Sequence, residues 1–290
     1  MFHTREKSDL LLIMETLAIR GILSNKQQQY LHHLQKGFAG EQSFDQMTTQ
    51  LNDNFFILND LFLQPHLSNA FQIDSMILTG KTLYLYEIKN YSGEYYYGEE
   101  MLVKMPVFKV SNPLIQVQNT KNKLTIFLKE LRYDIEIKVY AAYVHPEFTL
   151  FNAPKYEGML LPSQLKNHFI KIEKESKPLT AIQKKLAADL IDYQTDPMLF
   201  ANDIPDYSFA SLRKGIVCEE CSSFDLKLHR TYYHCQSCDY ENPINSALLS
   251  CIKEYQRLFP NDKLVTSILY IWCAEMLSKK RIQRTLKLLV

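Results

Sequence analysis

The chain lacks any apolar run near the roughly 18 residues that a membrane-spanning helix needs, so no such segment is expected. Its opening, M-F-H-T-R-E-K-S-D-L-L-L-I-M-E-T-L, has neither the unbroken apolar core nor the small-residue cleavage site of a secretory leader. Glu15 and the apolar spacing around it suit an amphipathic helix, and a cytoplasmic protein with reduced thiols is expected. Neither sign of charge dominates: 33 Lys and Arg stand against 32 Asp and Glu, for a net +1. That excludes attraction of nucleic acid by a generally positive field, and leaves local patches to supply any such affinity. One patch is plain, because no acid follows Glu275 while Lys279, Lys280, Arg281, Arg284 and Lys287 do. No internal repeat or low-complexity tract occurs. What remains, 46% hydrophobic and 22% charged over 290 residues, is ordinary globular sequence with room for about two domains.

Two strand-like runs flank Gly80: F-Q-I-D-S-M-I-L-T before it, and T-L-Y-L-Y-E-I-K-N after Lys81. Both are rich in β-branched and aromatic residues, and the Gly-Lys pair between them predicts a β-hairpin. With Gly80-Lys81 as the loop, Thr79 opposes Thr82, Asp74 opposes Glu87, and Gln72 opposes Lys89. Opposed residues on antiparallel strands share a face, their Cβ atoms about 4.5–5.5 Å apart. The two carboxylates then converge, with Lys89 beside them. Met76, Leu78, Leu83 and Leu85 complete that face; Phe71, Ile73, Ile77, Tyr84, Tyr86 and Ile88 form the other. Two largely apolar faces predict a central strand pair covered on both sides. Opposed like charges destabilise a sheet, and burying them unpaired is costly. A divalent cation held by Asp74 and Glu87 resolves the conflict, since hard cations prefer carboxylate oxygens. The alternative is that Lys89 pairs with one acid while the other reaches solvent.

Around the hairpin, residues 5–20 and 25–52 read as helices. The second contains G-F-A-G-E, where Gly37 and Gly40, about one turn apart, are expected to let the helix approach a sheet closely. Phe55 to Leu63 reads as a strand, Tyr95 to Tyr97 as a short tyrosine-rich run, and residues 112–131 as a helix with Pro113 in its first turn. Ile135 to His145 reads as a further strand. This succession is an α/β (α+β) layout, one sheet covered by helices. Residues 176–212 read as a helical connection. Three C-terminal helices follow, at about Ala247–Leu258, Lys263–Met276 and Ser278–Leu289.

Cys218-Glu-Glu-Cys221 and Cys235-Gln-Ser-Cys238 form two C-x-x-C knuckles 13 residues apart. Tetrahedral zinc needs four soft ligands, and each knuckle supplies two thiolates, so a structural Zn²⁺ site is expected. His229 and His234 are spare donors, expected to pack or face solvent. Cys251 and Cys273 sit in apolar helices and are expected as buried small hydrophobes. The last helices suit a helix-turn-helix, with Lys279, Lys280, Arg281 and Arg284 meeting phosphates; a solvated basic helix end is the competing reading.

The acids gain specificity when Glu41, Gln116 and Gln118 join them. Asp74 and Glu87 on adjacent strands, with Lys89 two residues on and a glutamate from a preceding helix, suit phosphodiester hydrolysis. Mg²⁺ or Mn²⁺ held by Asp74 and Glu87 offsets charge growing on the phosphoryl oxygens. Lys89 orients or deprotonates water or neutralises the transition state, and Gln116 and Gln118 contact substrate or water. A D…E-x-K string alone is weak; the shared face strengthens it.

These residues resemble the NERD (nuclease-related) domain of the PD-(D/E)XK nuclease superfamily. The likeness runs through G-F-A-G-E at 37–41, F-Q-I-D at 71–74, Y-E-I-K-N-Y-S-G at 86–93 and N-P-L-I-Q at 112–116. The wider layout is similar to bacterial proteins in which such a domain precedes a zinc ribbon, entered here by G-I-V-C-E-E-C. The resemblance implies a restriction-endonuclease-like central mixed sheet flanked by helices, a role in DNA processing, and motif positions Glu41, Asp74, Glu87, Lys89 and Gln116. The expected divisions are an N-terminal helical segment (1–30), the nuclease-like domain (31–175), a helical linker (176–212), a zinc ribbon (213–242) and a helix-turn-helix-like segment (243–290). The leading expectation is a metal-dependent nuclease targeted to nucleic acid, DNA above all, by its ribbon and terminal helices. Two alternatives stay open: a non-catalytic nucleic-acid-binding or regulatory protein on the same scaffold, and acids that form only a structural ion-pair network.

Overall fold

The computed structural model describes residues 5–51, 54–65, 69–106, 108–155, 158–195 and 204–288. The chain divides into two compact units. One comprises residues 1–6 and 33–200, the other residues 7–32 and 201–290.

The first unit is built on a mixed five-stranded sheet. Strands β1 (Phe56–Leu63), β2 (Phe71–Leu78) and β3 (Thr82–Lys89) are antiparallel neighbours; β7 (Glu136–Tyr143) and β9 (Met159–Leu160) then add in parallel, in the order β1-β2-β3-β7-β9. Helices α3 (Pro113–Glu130) and α5 (Ala181–Asp192) supply Val117, Leu124, Phe127, Leu128, Leu186, Ala187 and Leu190 to the core on one side of this sheet. Helices α2 (Asn25–Thr48) and α4 (Pro162–Glu175) supply Phe44, Leu165, Phe169 and Ile172 to the other. The expected mixed α/β class and the doubly covered β2–β3 pair are therefore present. A second sheet, which the sequence reading did not anticipate, runs β6-β5-β4-β8. Its strands, β4 (Gly93–Tyr96), β5 (Met101–Lys104), β6 (Phe108–Ser111) and β8 (Phe148–Phe151), are only four residues each. They pack Tyr95, Leu102 and Phe148 against Ala141, Tyr143 and Met159.

The hairpin has the expected register, with Leu78 opposite Leu83 and Ser75 opposite Tyr86. Gly80 is required by a close approach rather than by turn dihedrals. Its N–H donates to the Lys177 carbonyl at 2.9 Å, and a Cβ there would meet the Pro178 carbonyl oxygen at 2.2 Å. The two faces differ from those that simple alternation predicts. Phe71 and Ile73 share a core with Met76, Leu78, Leu83 and Leu85, whereas Ile77, Tyr84, Tyr86 and Ile88 lie in the opposite one. Strand β2 thus exchanges faces near Asp74. Strand β1 does the same, with Ile57 on one side and Leu61 and Leu63 on the other. Asp60, at φ 55°, interrupts β1 at the matching position. Left-handed backbone is tolerated best by Gly, Asn and Asp, so a short acid can carry the reversal.

In the second unit, α1 (Asp9–Ile19) buries Leu11, Ile13, Met14 and Leu17, and packs on α6 (Ile244–Leu258). A three-stranded antiparallel ribbon, β10 (Leu226–Leu228), β11 (Tyr232–Cys235) and β12 (Glu241–Pro243), precedes α6. Helices α7 (Thr266–Trp272) and α8 (Lys279–Lys287) follow. Helix α7 is shorter than expected, because Ala274 and Glu275 adopt φ 51° and 61° and turn the chain toward α8, capped by Ser278. Arg20, only 3% exposed, ties the unit together. Its guanidinium pairs with Glu254 and stacks on Trp272 at 3.9 Å, while Trp272 donates to the same carboxylate at 3.2 Å.

Candidate active site

Asp74 sits where two ladders break. The β1–β2 register runs through Asn59–Ser75 and resumes at Leu61–Ile73, leaving Asp60 and Asp74 out. The β2–β3 register stops at Ser75–Tyr86. By the alternation of an antiparallel ladder, the Ile88 N–H would next meet Ile73. Instead it donates to the Asp74 carboxylate, Oδ2, at 2.8 Å. The Asp74 carbonyl, freed on the other side, accepts from the Arg5 guanidinium at 2.6 Å. Asp74 and Glu87 are therefore not a directly opposed ladder pair. The strands part, and the aspartate side chain takes the main chain between Glu87 and Lys89.

Lys89 donates from Nζ to Glu87 Oε1 at 2.6 Å, and both side chains are less than one-fifth exposed. Burial alone would lower the Lys89 pKa, but the charges of Glu87 and Asp74 outweigh it and raise it. Burial, then the charges of Glu87 and Glu41, push the Asp74 carboxyl up to about 8 against the pull of Lys89. The charges of Glu87, Glu41 and Lys89 thus all reach the Asp74 carboxyl.

Glu41 is delivered by α2. Gly40 makes the delivery feasible, since a Cβ there would lie 2.4 Å from Asn90 Cβ. Asn90 follows Lys89 directly and donates from Nδ2 to the Lys36 carbonyl at 2.8 Å, fastening β3 to the helix. Gly37, by contrast, faces open space and has no role in close approach. The Glu41 carboxylate accepts from Arg5 at 2.9 Å, and Arg5 also grips Asp45 with two bonds, at 2.9 and 3.3 Å. Burial holds the Glu41 carboxyl above its usual range, with Asp60 and Asp45 adding to the rise, and Arg5 and Lys89 opposing it.

The set offers a divalent cation hard oxygen donors. Mg²⁺ is commonly held by one or two carboxylates, with water and phosphate completing its shell, and Asp74 with Glu87 fits that donor set. Glu41 is already bonded to Arg5. The three acids do not form a dedicated three-carboxylate cage: among the described residues, the metal-ligand side chains that converge as a group are four cysteines.

Residues 36–146 match the nuclease-related domain family, NERD.

The matched stretch spans the C-terminal part of α2 through β7, and contains Glu41, Asp74, Glu87, Lys89 and Gln116. No curated protein and no solved structure gives a significant match to the chain. Gln116 and Gln118 are exposed on α3, and no hydrogen bond among the described residues joins either to the acids; Gln118 donates to Asn122 at 3.4 Å. Arg5 lies outside the matched stretch and escaped sequence reasoning, because nothing local marks an arginine whose partners are 36, 40 and 69 residues away. Asp45 was legible in principle. It stands one helical turn after Glu41 and so shares its side of α2.

Outside the matched stretch, the Sγ atoms of Cys218, Cys221, Cys235 and Cys238 all lie within 4.8 Å of one another. Cys218–Cys238 and Cys221–Cys235 are 3.7 and 3.6 Å apart, far beyond a disulfide and near the roughly 3.8 Å of a tetrahedral four-thiolate zinc shell. Ser222 and Asp239, each directly after a knuckle, share the left-handed turn at φ 59° and 58°. Main-chain N–H groups of Ser237 and Cys238 point at the Cys235 sulfur. The cluster is compatible with a structural metal such as zinc. His229 stacks on Tyr232 and His234 faces Asp239, so neither joins it. Cys251 and Cys273 are buried. On α8, Lys279, Lys280, Arg284 and Lys287 are exposed, whereas Arg281 donates to the Arg230 carbonyl at 2.6 Å.

Proposed function

We propose that the nuclease-related domain is a metal-dependent nuclease that hydrolyses phosphodiester bonds of nucleic acid, DNA in the first instance. The observation that carries this reading is the bond from Ile88 N–H to Asp74, which sets one carboxylate on the main chain between the other carboxylate and the lysine. Buried acids this close are disfavoured without a counter-charge, and Lys89 supplies only one. Asp74 and Glu87 would hold Mg²⁺ or Mn²⁺, which when bound acidifies water and offsets charge on the phosphate. Lys89, anchored by Glu87, presents a positive charge toward the scissile phosphate and stabilises charge developing on its oxygens. Glu41, with Arg5 behind it, sets the electrostatic floor of the site. Gln116, exposed on α3, is assigned to substrate contact. The four cysteines would hold a structural zinc that shapes the ribbon, and the exposed lysines and arginine of α8 would meet phosphates.

The test is cleavage of labelled duplex and single-stranded DNA and of RNA with Mg²⁺, Mn²⁺ or chelator, by the wild type, Asp74→Asn and Glu87→Gln. Loss of metal-dependent cleavage in both variants is expected. Full cleavage by both variants sinks the assignment. Binding that persists without turnover in the wild type favours the non-catalytic alternative.

A further inference from the structure

Lys36 and Lys104 converge on one residue. The Lys36 ammonium donates to the Ser92 hydroxyl at 2.9 Å, and the Lys104 ammonium donates to the Ser92 carbonyl at 2.7 Å. Lys36 comes from α2, Lys104 ends β5, and Ser92 lies in the segment that links β3 to β4, so three parts of the chain bring two like charges together. Gly93, the first residue of β4, follows with φ 90°, and its own N–H is bonded to the Glu147 carbonyl at 3.1 Å. Both lysines are half-buried. Neither is paired with a carboxylate among the described residues. Burial and the charge of Lys104 hold Lys36 below its ordinary pKa. A fold that gathers two such cations without an acid leaves room for an anion.

Position says which anion. Ser92 is three residues after Lys89, within about 11 Å along extended chain. Asn90, against which Gly40 packs, bonds the Lys36 carbonyl, so the lysine pair and the acid site share one brace. An ammonium carries three donors, and each lysine spends one on Ser92, leaving two apiece to point at an oxyanion.

We propose that Lys36 and Lys104 form a subsite for a backbone phosphate of the nucleic-acid strand, beside the scissile position. This rests on the nuclease reading. The subsite binds charge without reading sequence, and fixes how the strand lies across the acids.

The test uses the full chain and two probes. The first is a short oligonucleotide, duplex or single-stranded, bound in chelator over a series of salt concentrations. K36Q/K104Q is expected to bind on the order of tenfold more weakly near 0.1 M salt, and to flatten the salt dependence by about 0.7 for a single strand or 0.9 for a duplex, the share of one phosphate. K36R/K104R keeps both. Should the double variant fail to fold, K36Q and K104Q separately are each expected to weaken binding and to lose part of that one-phosphate share of the slope. The second probe is inorganic phosphate, expected to raise the melting temperature of the wild type but not of K36Q/K104Q. A folded K36Q/K104Q with wild-type affinity and slope overturns the subsite, as does the absence of lysine-dependent binding to either probe. Cleavage by the wild type with unchanged KM in K36Q/K104Q sinks the subsite and leaves the nuclease reading standing. Lysine-dependent phosphate stabilisation in a chain that cleaves nothing does the reverse.

Discussion

The Asp74 carboxylate caps the Ile88 N–H at 2.8 Å, occupying the place that a strand carbonyl would otherwise take. One side chain therefore has two duties, one to the sheet and one to the proposed chemistry, and substitutions can separate them. Asp74→Asn keeps an acceptor for Ile88 but loses the charge. Asp74→Ala loses both and leaves a buried N–H unsatisfied, at a cost of about 1–3 kcal/mol. Both variants are expected to lose cleavage, by at least a hundredfold, whereas only Asp74→Ala should show a clearly lower urea midpoint. Equal stability of the two would refute the capping role.

Arg5 is the counter-ion of this region, its side chain 2% exposed and bonded to Glu41, Asp45 and the Asp74 carbonyl. Removing it leaves two partly buried carboxylates facing each other. Arg5→Met is expected to cost about 3–5 kcal/mol, the penalty of stranding one side of a buried ion pair. Asp45→Asn introduced with it should recover part of that loss. Chemical denaturation of the single and double variants measures both. A loss below about 1 kcal/mol, the scale of a surface pair, removes Arg5 from this role.

Gly40 and Gly37 look equivalent in G-F-A-G-E and are not. At Gly40 a methyl group collides with Asn90 Cβ at 2.4 Å, and Gly40→Ala is expected to destabilise by about 1–3 kcal/mol while shifting Lys89. Gly37 faces open space within a helix, so Gly37→Ala is expected to stabilise by up to about 1 kcal/mol. Thermal melts of the two variants should move in opposite directions. Movement in the same direction discounts the packing argument.

These contrasts show what was legible in the residues. The hairpin register followed from a two-residue loop and alternating apolar positions, both local features. The four cysteines were legible because knuckle ligands come at fixed short spacing. The exchange of faces at Asp74 was not, since it depends on Asp60, in another strand, holding φ 55°. Nor was the second sheet: strands such as G-E-Y-Y and F-K-V-S are too short and too charged to display a period. Arg5 and the Lys36–Lys104 pair are contacts between distant segments, and charge carries no local signature of its partner.

The cysteine cluster makes a separate prediction. One equivalent of Zn²⁺ should copurify with the chain, measured by elemental analysis, and Cys235→Ser should lower it. A thiolate site closes around metal at a folding free energy of about 10–16 kcal/mol in small peptides, so a strong chelator is expected to unfold the ribbon. Ribbon signals in an amide spectrum should disperse with zinc and collapse without it. Retained dispersion in metal-free protein argues against a structural metal.

His168 supplies the pH dependence least entangled with metal. It lies on α4, its Nε2 is 3.0 Å from the Tyr86 hydroxyl, and the Tyr140 ring packs at 4.4 Å. Burial, with the charge of Lys171 adding, lowers its pKa from 6.5 to about 4. The unfolded chain therefore binds a proton between these values that the folded chain refuses. The stability that the neutral, buried His168 contributes is full above about pH 6.5 and is lost as pH drops toward 4, where the folded histidine at last protonates. At about 1.4 kcal/mol per pH unit the effect is about 3 kcal/mol at most, and about 2 kcal/mol once partial solvent access is allowed for. His168→Gln still presents a polar group to Tyr86 but cannot titrate. The difference in unfolding free energy between wild type and His168→Gln should thus shrink by about 2 kcal/mol on going from pH 7 to pH 4. Carboxylates titrating over the same range contribute to both proteins and cancel in that difference. A constant difference across the range would show that His168 charges as freely folded as unfolded.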